Sequence, residues 1–244
     1  EQIRVGLVFN KTNPFLMGDH FDNTYYNFFI KALQRNPKIK MIYFPTDDLF
    51  DATILNDVVD VILLWNNAKF GMPCKINGLR KSNLPVIARA GDPEDAKESL
   101  VNNEEWKIDY YFHFISESYF YQLYPKSFRY KKIFFGLEAQ LYENVTPFTE
   151  RIMSKILNSG NVGNNKMINK LICYMRDRST RNPYIGYKLR TMCNNLSYVD
   201  HASRLEQRYL NDEYPKLLQK YAGAIAATSD TPSIKYFEIP AAGC

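Results

Sequence analysis

Two carboxylates with seven residues between them, Asp230 and Glu238, stand in the closing stretch Ser229-Asp-Thr-Pro-Ser-Ile-Lys-Tyr-Phe-Glu-Ile-Pro-Ala-Ala-Gly-Cys244. Pro232 suits a first helical position, because its missing N–H costs nothing there and its φ is already helical. Asp230 or Thr231 can cap the free N–H groups of that turn. The apolar run Ala222 to Thr228 before it predicts a short strand. A strand running into a capped helix presents unpaired N–H groups and a positive dipole end, a ready anion site. Ile234, Phe237 and Ala241 recur at helical spacing and predict a buried stripe with Glu238 beside it. A carboxylate in that place must be paired or must serve a ligand, because burying it alone is costly. A capped helix with an exposed Glu is the other reading of the same spacing.

Further candidates lie upstream. Asn158-Ser-Gly160-Asn161-Val-Gly163 is a Gly/Asn-rich loop able to adopt positive φ and bring backbone N–H groups to a phosphate. It lacks the Gly-Lys-Ser/Thr of a P-loop, and Gly-x-x-Gly by itself is a weak dinucleotide signal. Arg176, Arg178, Arg181, Lys188 and Arg190 form the densest basic cluster. A guanidinium matches phosphate geometry well. In the first half, Asp19, His20 and Asp92 follow strand patterns and could bind hydroxyls or supply a catalytic base, with Asn10 beside them. Each also has a plain structural reading, since Asp before a helix is often a cap and Asp-Pro is often a turn. His113, between Phe112 and Phe114, reads as a packed strand residue.

The elements that must position these groups follow a repeating order. Apolar runs predict strands at 3–9, 40–44, 58–65, 85–89, 110–115 and 132–135. Helical patterns fall at 22–34, 50–56 and 117–124. Residues 137–149 read as a polar linker, after which the pattern restarts. Residues 152–157 form an apolar run, 168–175 is a strand or a helix, 184–192 is helical, 197–200 is a strand end, and 204–221 contains a helix broken near Pro215. Repeated βα units of this length argue for a parallel sheet covered on both faces. In such sheets ligands sit at the carboxyl ends of the strands.

Composition narrows the function classes. The chain has 244 residues, 31 Lys and Arg against 26 Asp and Glu, and 18 Tyr and 16 Phe against 2 Trp. Charge is uneven, with 17 basic and 18 acidic residues up to Asn144 and 14 and 8 beyond it. A basic second half suits an anionic ligand. No helix-turn-helix or RNP-type pattern points to nucleic acid. No apolar run reaches the roughly 18 residues of a membrane span, so no transmembrane segment is expected. Four scattered cysteines without C-x-x-C predict free thiols, a cytoplasmic setting and no zinc site.

Asp230-x7-Glu238 followed by Ala241-Ala242-Gly243 resembles the E-x7-E motif of retaining GT-B glycosyltransferases, glycosyltransferase family 4 and its relatives in particular. The resemblance implies an α/β fold of two Rossmann-like domains, at 1–140 for the acceptor and 150–244 for the donor. It implies a donor domain incomplete here, because the family's continues past the motif. It further implies transfer of a sugar from a UDP- or GDP-linked donor to a glycan, lipid-linked or small-molecule acceptor, with retention and without a metal or other cofactor. Glu238 would hold the ribose, Asp230 would face the sugar, Ser159, Gly160 and Asn161 would line the donor site, and N–H groups around Pro232, Ser233, Ile234 and Lys235, with a cation such as Arg190, would meet the diphosphate. Asp19 and His20 would then serve the chemistry, with Asn10 and Asp92 at the acceptor. Two departures stand out: the first acid is Asp, one methylene short, and Pro240 falls inside the helix, where it should kink it. A non-catalytic GT-B-like module that binds a glycan or nucleotide, and a nucleotide-sugar epimerase, are the alternatives.

Overall fold

The computed structural model describes residues 1–13, 28–68, 71–163, 166–176, 182–202, 213–227 and 233–244. The chain separates into two compact units, the second being Phe135–Cys244 apart from one short segment outside the described residues.

Unit 1 is a six-stranded, all-parallel sheet in the order β2-β1-β4-β6-β7-β8. Its strands are β1 (Ile3–Asn10), β2 (Ile39–Thr46), β4 (Val61–Leu64), β6 (Val86–Arg89), β7 (Tyr110–His113) and β8 (Tyr130–Lys132). A small parallel pair, β3 (Leu49–Asp51) with β5 (Lys75–Asn77), stands outside it. The central strands β1 and β4 are the apolar runs of the sequence, and Leu7, Val8, Ile62 and Leu64 have no exposed surface. Helices α1 (Phe28–Arg35), α2 (Ala96–Trp106) and α3 (Glu117–Leu123) make the connections. The strand order reverses between β1 and β4, which makes their carboxyl ends the switch point of the sheet.

The helix expected at 50–56 is instead strand β3 followed by one 3-10 turn, Ala52–Leu55, and three further features depart from expectation. Helix α2 is absent from the hydropathy pattern because its buried face is Ala96, Ser99, Asn102 and Trp106, half of it polar, while Val101 is exposed. Strand β8 ends at Lys132 and leaves Phe134 exposed. Its register is fixed one element earlier, where Tyr130 stacks on Phe120 at 4.0 Å and donates to the Ile115 carbonyl. The strand at 58–65 shortens to β4, because Asp57 takes a left-handed turn at φ 64.

Unit 2 pairs β9 (Ile156–Ser159) with β10 (Val199–Ala202) in parallel. The segment after Tyr221 lies along the other side of β9, where Leu157 N–H donates to Gly223 and Ile225 N–H to Leu157. It forms an isolated bridge at Ala224 in place of the strand expected over 222–228, and residues 228–232 lie outside the described ones. The apolar run at 152–157 becomes strand only from Ile156, and Ile152 instead bridges to Tyr221. Helices α4 (Met167–Arg176) and α5 (Lys188–Cys193) fill the crossover between β9 and β10. The ambiguous stretch at 168–175 is therefore helical. Helix α6 (Glu213–Gln219) runs through Pro215, which occupies its first turn, where no N–H partner is lost. Helix α7 (Lys235–Ala241) closes the unit. The four cysteines are unpaired. Among the described residues no helix is long and apolar enough to cross a membrane.

Leu64 sits in register between Val8 and Ala88 with no exposed surface. Leu64→Ala is expected to destabilise unit 1 by about 2–5 kcal/mol, read as a lower urea midpoint. A smaller loss would show that the sheet centre can collapse onto the cavity.

Candidate functional site

The carboxyl end of β9 is the centre of the site in unit 2. Asn158 and Ser159 are fully buried. Asn158 Nδ2 donates to the Arg190 carbonyl at 2.9 Å and so ties α5 to the strand. Gly160 then turns the chain at φ 98, a conformation glycine takes without steric penalty. Asn161, next along, is exposed.

Two cations converge on one backbone oxygen. Arg190 Nη1 donates to the Ser159 carbonyl at 3.1 Å, and Lys235 Nζ donates to the same carbonyl at 3.0 Å. Lys235 Nζ also reaches Ser159 Oγ at 2.5 Å and Tyr214 Oη at 3.0 Å. Ser159 Oγ and Tyr214 Oη are themselves hydrogen-bonded at 2.9 Å. The Arg190 guanidinium lies 4.1 Å over the Tyr187 ring, and its Nε has no acceptor among the described residues. Both cations are almost fully buried, at 5% and 7% exposure.

Glu238 stands three residues after Lys235 and has no exposed surface. Neither of its carboxylate oxygens has a hydrogen-bond partner among the described residues. Burial pushes its pKa up from the ordinary 4.5, opposed by the nearby positive charge of Lys235. Burial pushes Lys235 down from 10.5, opposed by Glu238 and assisted by Arg190. Burial likewise lowers Arg190 and raises the Tyr214 phenol.

Helix α7 departs from its sequence reading in register. It begins at Lys235, with Ile234 as its cap residue and no side-chain cap, rather than at Pro232. Its buried residues are Lys235, Glu238, Ile239 and Ala242, while Phe237 is 46% exposed. The inward face is thus displaced by one residue from the expected stripe at 234, 237 and 241, and the charged pair goes inside. Ile234 itself is buried, as expected. Pro240 sits one residue before the helix ends, and Gly243 follows at φ 75, so Pro240 marks termination. Ser233 Oγ is buried without a partner among the described residues.

The structure therefore brings Ser159, Arg190 and Glu238 together from three separate stretches. Asp230 and Pro232 lie outside the described residues, as do Asp19 and His20. Lys235 was expected to contribute only its N–H; its side chain is central. Tyr214 carried no signal beyond its helix. The spacing of Lys235 and Glu238, i and i+3, is what could have flagged the pair.

In unit 1, Asn10 at the end of β1 is buried, but its side chain is occupied. Its Oδ1 accepts from Thr12 N–H and Oγ, and its Nδ2 donates to Asp48. Asp92 is exposed at the cap position of the turn Pro93–Asp95, with no side-chain cap bond. His113 is packed beside Phe114, and burial pushes it down to about 3, helped by Arg89.

No family model, no curated protein and no solved structure matches the chain.

The sign of the pH dependence follows from Glu238. An acid whose pKa is raised in the folded state holds its proton there after the unfolded chain has lost it, so stability falls as pH rises above 4.5. Lys235 acts oppositely: its folded pKa is depressed, so its penalty is relieved as pH rises toward 10.5. The ligand-free protein is expected to be least stable between those limits. Glu238→Gln should remove the falling limb, checked by melting temperature against pH. An unchanged limb would show that another group causes it.

Proposed function

We propose that the chain is a glycosyltransferase that binds a nucleotide-sugar at the carboxyl end of β9. The observation that carries this reading is Glu238, a fully buried carboxyl group with two oxygens that no described residue uses. A ribose offers two adjacent hydroxyls, and the protonated carboxyl can accept from one and donate to the other. The cost of burying the group is then offset by the ligand. Arg190 and Lys235 lie close by and supply positive charge for a diphosphate, Arg190 with an Nε still unused.

Catalysis in this reading is displacement at the anomeric carbon. The bond to the departing diphosphate breaks as the acceptor oxygen attacks from the same face, the acceptor hydroxyl's proton passes to the departing diphosphate oxygen, and the remaining negative charge on the diphosphate is stabilised by the two cations. A dry site makes that stabilisation large, because the charges are poorly screened. Lys235, held below its ordinary pKa without ligand, takes up a proton as the diphosphate arrives. We propose a UDP- or GDP-linked donor, retention of configuration and a glycan, lipid-linked or small-molecule acceptor.

The test is calorimetric titration of the full chain with UDP, GDP and their common sugars, beside Glu238→Ala. Selective binding of one nucleotide, weakened about tenfold to a hundredfold in the variant, is the expected result, equivalent to about 1.4–2.8 kcal/mol. Repeating the titration in buffers of different ionisation enthalpy should reveal net proton uptake that Lys235→Met abolishes. Consumption of the sugar donor on adding acceptors separates an enzyme from a module that only binds. Absence of nucleotide binding, or affinity unchanged in Glu238→Ala, would overturn the site.

A further inference from the structure

A second unbalanced charge lies in unit 1, far along the chain from Glu238. Arg89 ends β6 at the carboxyl edge of the six-stranded sheet. It is 6% exposed, and its Nε is buried without an acceptor among the described residues. No ion pair between described residues includes Arg89. Its contact is with an indole face: the guanidinium lies 4.4 Å over Trp65, which has no exposed surface. On the other side, Arg89 is in register with Phe112, and His113 follows. Burial holds His113 neutral, so it adds no like charge beside the cation.

This environment fixes and orients the guanidinium without neutralising it. A cation over an aromatic face is attracted by the ring quadrupole, but a buried cation still lacks the counter-charge that normally accompanies it. An apolar residue of similar volume would fill the same place at lower electrostatic cost. Trp65 follows β4 directly, at the switch point where β1 and β4 part, and Arg89 is on the next strand. Ligands of parallel α/β sheets sit at that edge.

We propose that Arg89 is the anion-binding centre of a separate ligand site in unit 1, and that its ligand presents a carboxylate or a phosphate. The fork of N–H donors, its plane held against Trp65, accepts a planar two-oxygen face. Asn66 and Asn67, buried at the end of β4, have their Oδ1 atoms occupied by Ala68 N–H and by Gly91 N–H and Ser99 Oγ, so the charged contact falls to Arg89. The site is independent of the donor site proposed for unit 2.

The two tryptophans of the chain give two indole N–H resonances, and Trp65→Phe assigns one of them. The full-length chain is titrated with inorganic phosphate in one arm and acetate in the other, chloride holding ionic strength constant. The expected result is a saturable shift of the Trp65 resonance in at least one arm, and the responding arm names the oxyanion. The shift should persist in Lys235→Met, which removes a cation of unit 2, and vanish in Arg89→Met. Arg89→Lys, which keeps the charge and loses the fork, should weaken binding at least severalfold. Arg89→Met should melt no lower than wild type, because no hydrogen bond or ion pair is lost with it. No saturable shift in either arm, or a shift that survives Arg89→Met, overturns the proposal. So does a large drop in melting temperature in Arg89→Met together with full phosphate and acetate affinity in Arg89→Lys, which would make the residue structural.

Discussion

Parallel pairing is the constraint on which both units depend. Every ladder between named strands runs parallel. Parallel neighbours cannot be joined by a tight turn, so each needs a crossover, and crossovers bury the sheet from both faces. The strands must then be apolar along their length, and all of them end on the same edge. Polar groups that the strands cannot hold collect at that edge: Asn10, Asn66, Asn67 and Arg89 in unit 1, Asn158 and Ser159 in unit 2, all of them buried. Chemistry at the carboxyl edge follows from the direction of the hydrogen bonds.

Within unit 2 the decisive balance is between desolvation and partnership. Taking an ion out of water costs several kcal/mol even after relaxation. Lys235 recovers part of this from the Ser159 carbonyl, the Ser159 hydroxyl and the Tyr214 phenol. Arg190 recovers part from the same carbonyl and the Tyr187 ring. Glu238 recovers nothing comparable, and it responds by holding its proton. Two groups of opposite sign, each driven toward neutrality by burial, stand one helical turn apart without a hydrogen bond between them. An arrangement of that kind favours a ligand that brings both an anion and hydroxyl donors.

Much of unit 1 was legible in the sequence. Strands β1, β4 and β6 announce themselves as apolar runs because both faces of each are covered, and β2 and β7 keep enough apolar residues to show although they are partly exposed. Helix α2 was illegible for the complementary reason: its inward residues Ser99 and Asn102 bond to Asn67, so the packing face reads as polar. The pair β3 and β5 is three residues long on each side, too short to form a pattern. At the site, Glu238, Ser159 and Arg190 were legible from motif spacing, loop chemistry and charge density. Lys235 and Tyr214 were not, because hydropathy assigns lysine to the surface and gives tyrosine no direction. Only the packing of α6 and α7 against the end of β9 reveals that both face inward.

The displaced face of α7 shows why that failure is informative. Hydropathy favours burying Ile234, Phe237 and Ala241, and a helix turned that way would satisfy every local rule. The chain instead exposes Phe237 and buries Lys235 and Glu238. Exposing an aromatic ring and dehydrating two charges are both unfavourable, so the observed register is held by the rest of the unit. Tyr214 and Ser159 take the lysine, and Ile239 and Ala242 fill the remaining space. Sequences that specify a fold agree with it at every level except where something other than stability is being maintained. Arg89 over Trp65 breaks the same rule in unit 1, with a cation where an apolar side chain would pack more cheaply. Both of these departures from local preference lie at the carboxyl end of a parallel sheet, and the charge binding proposed for each would account for them.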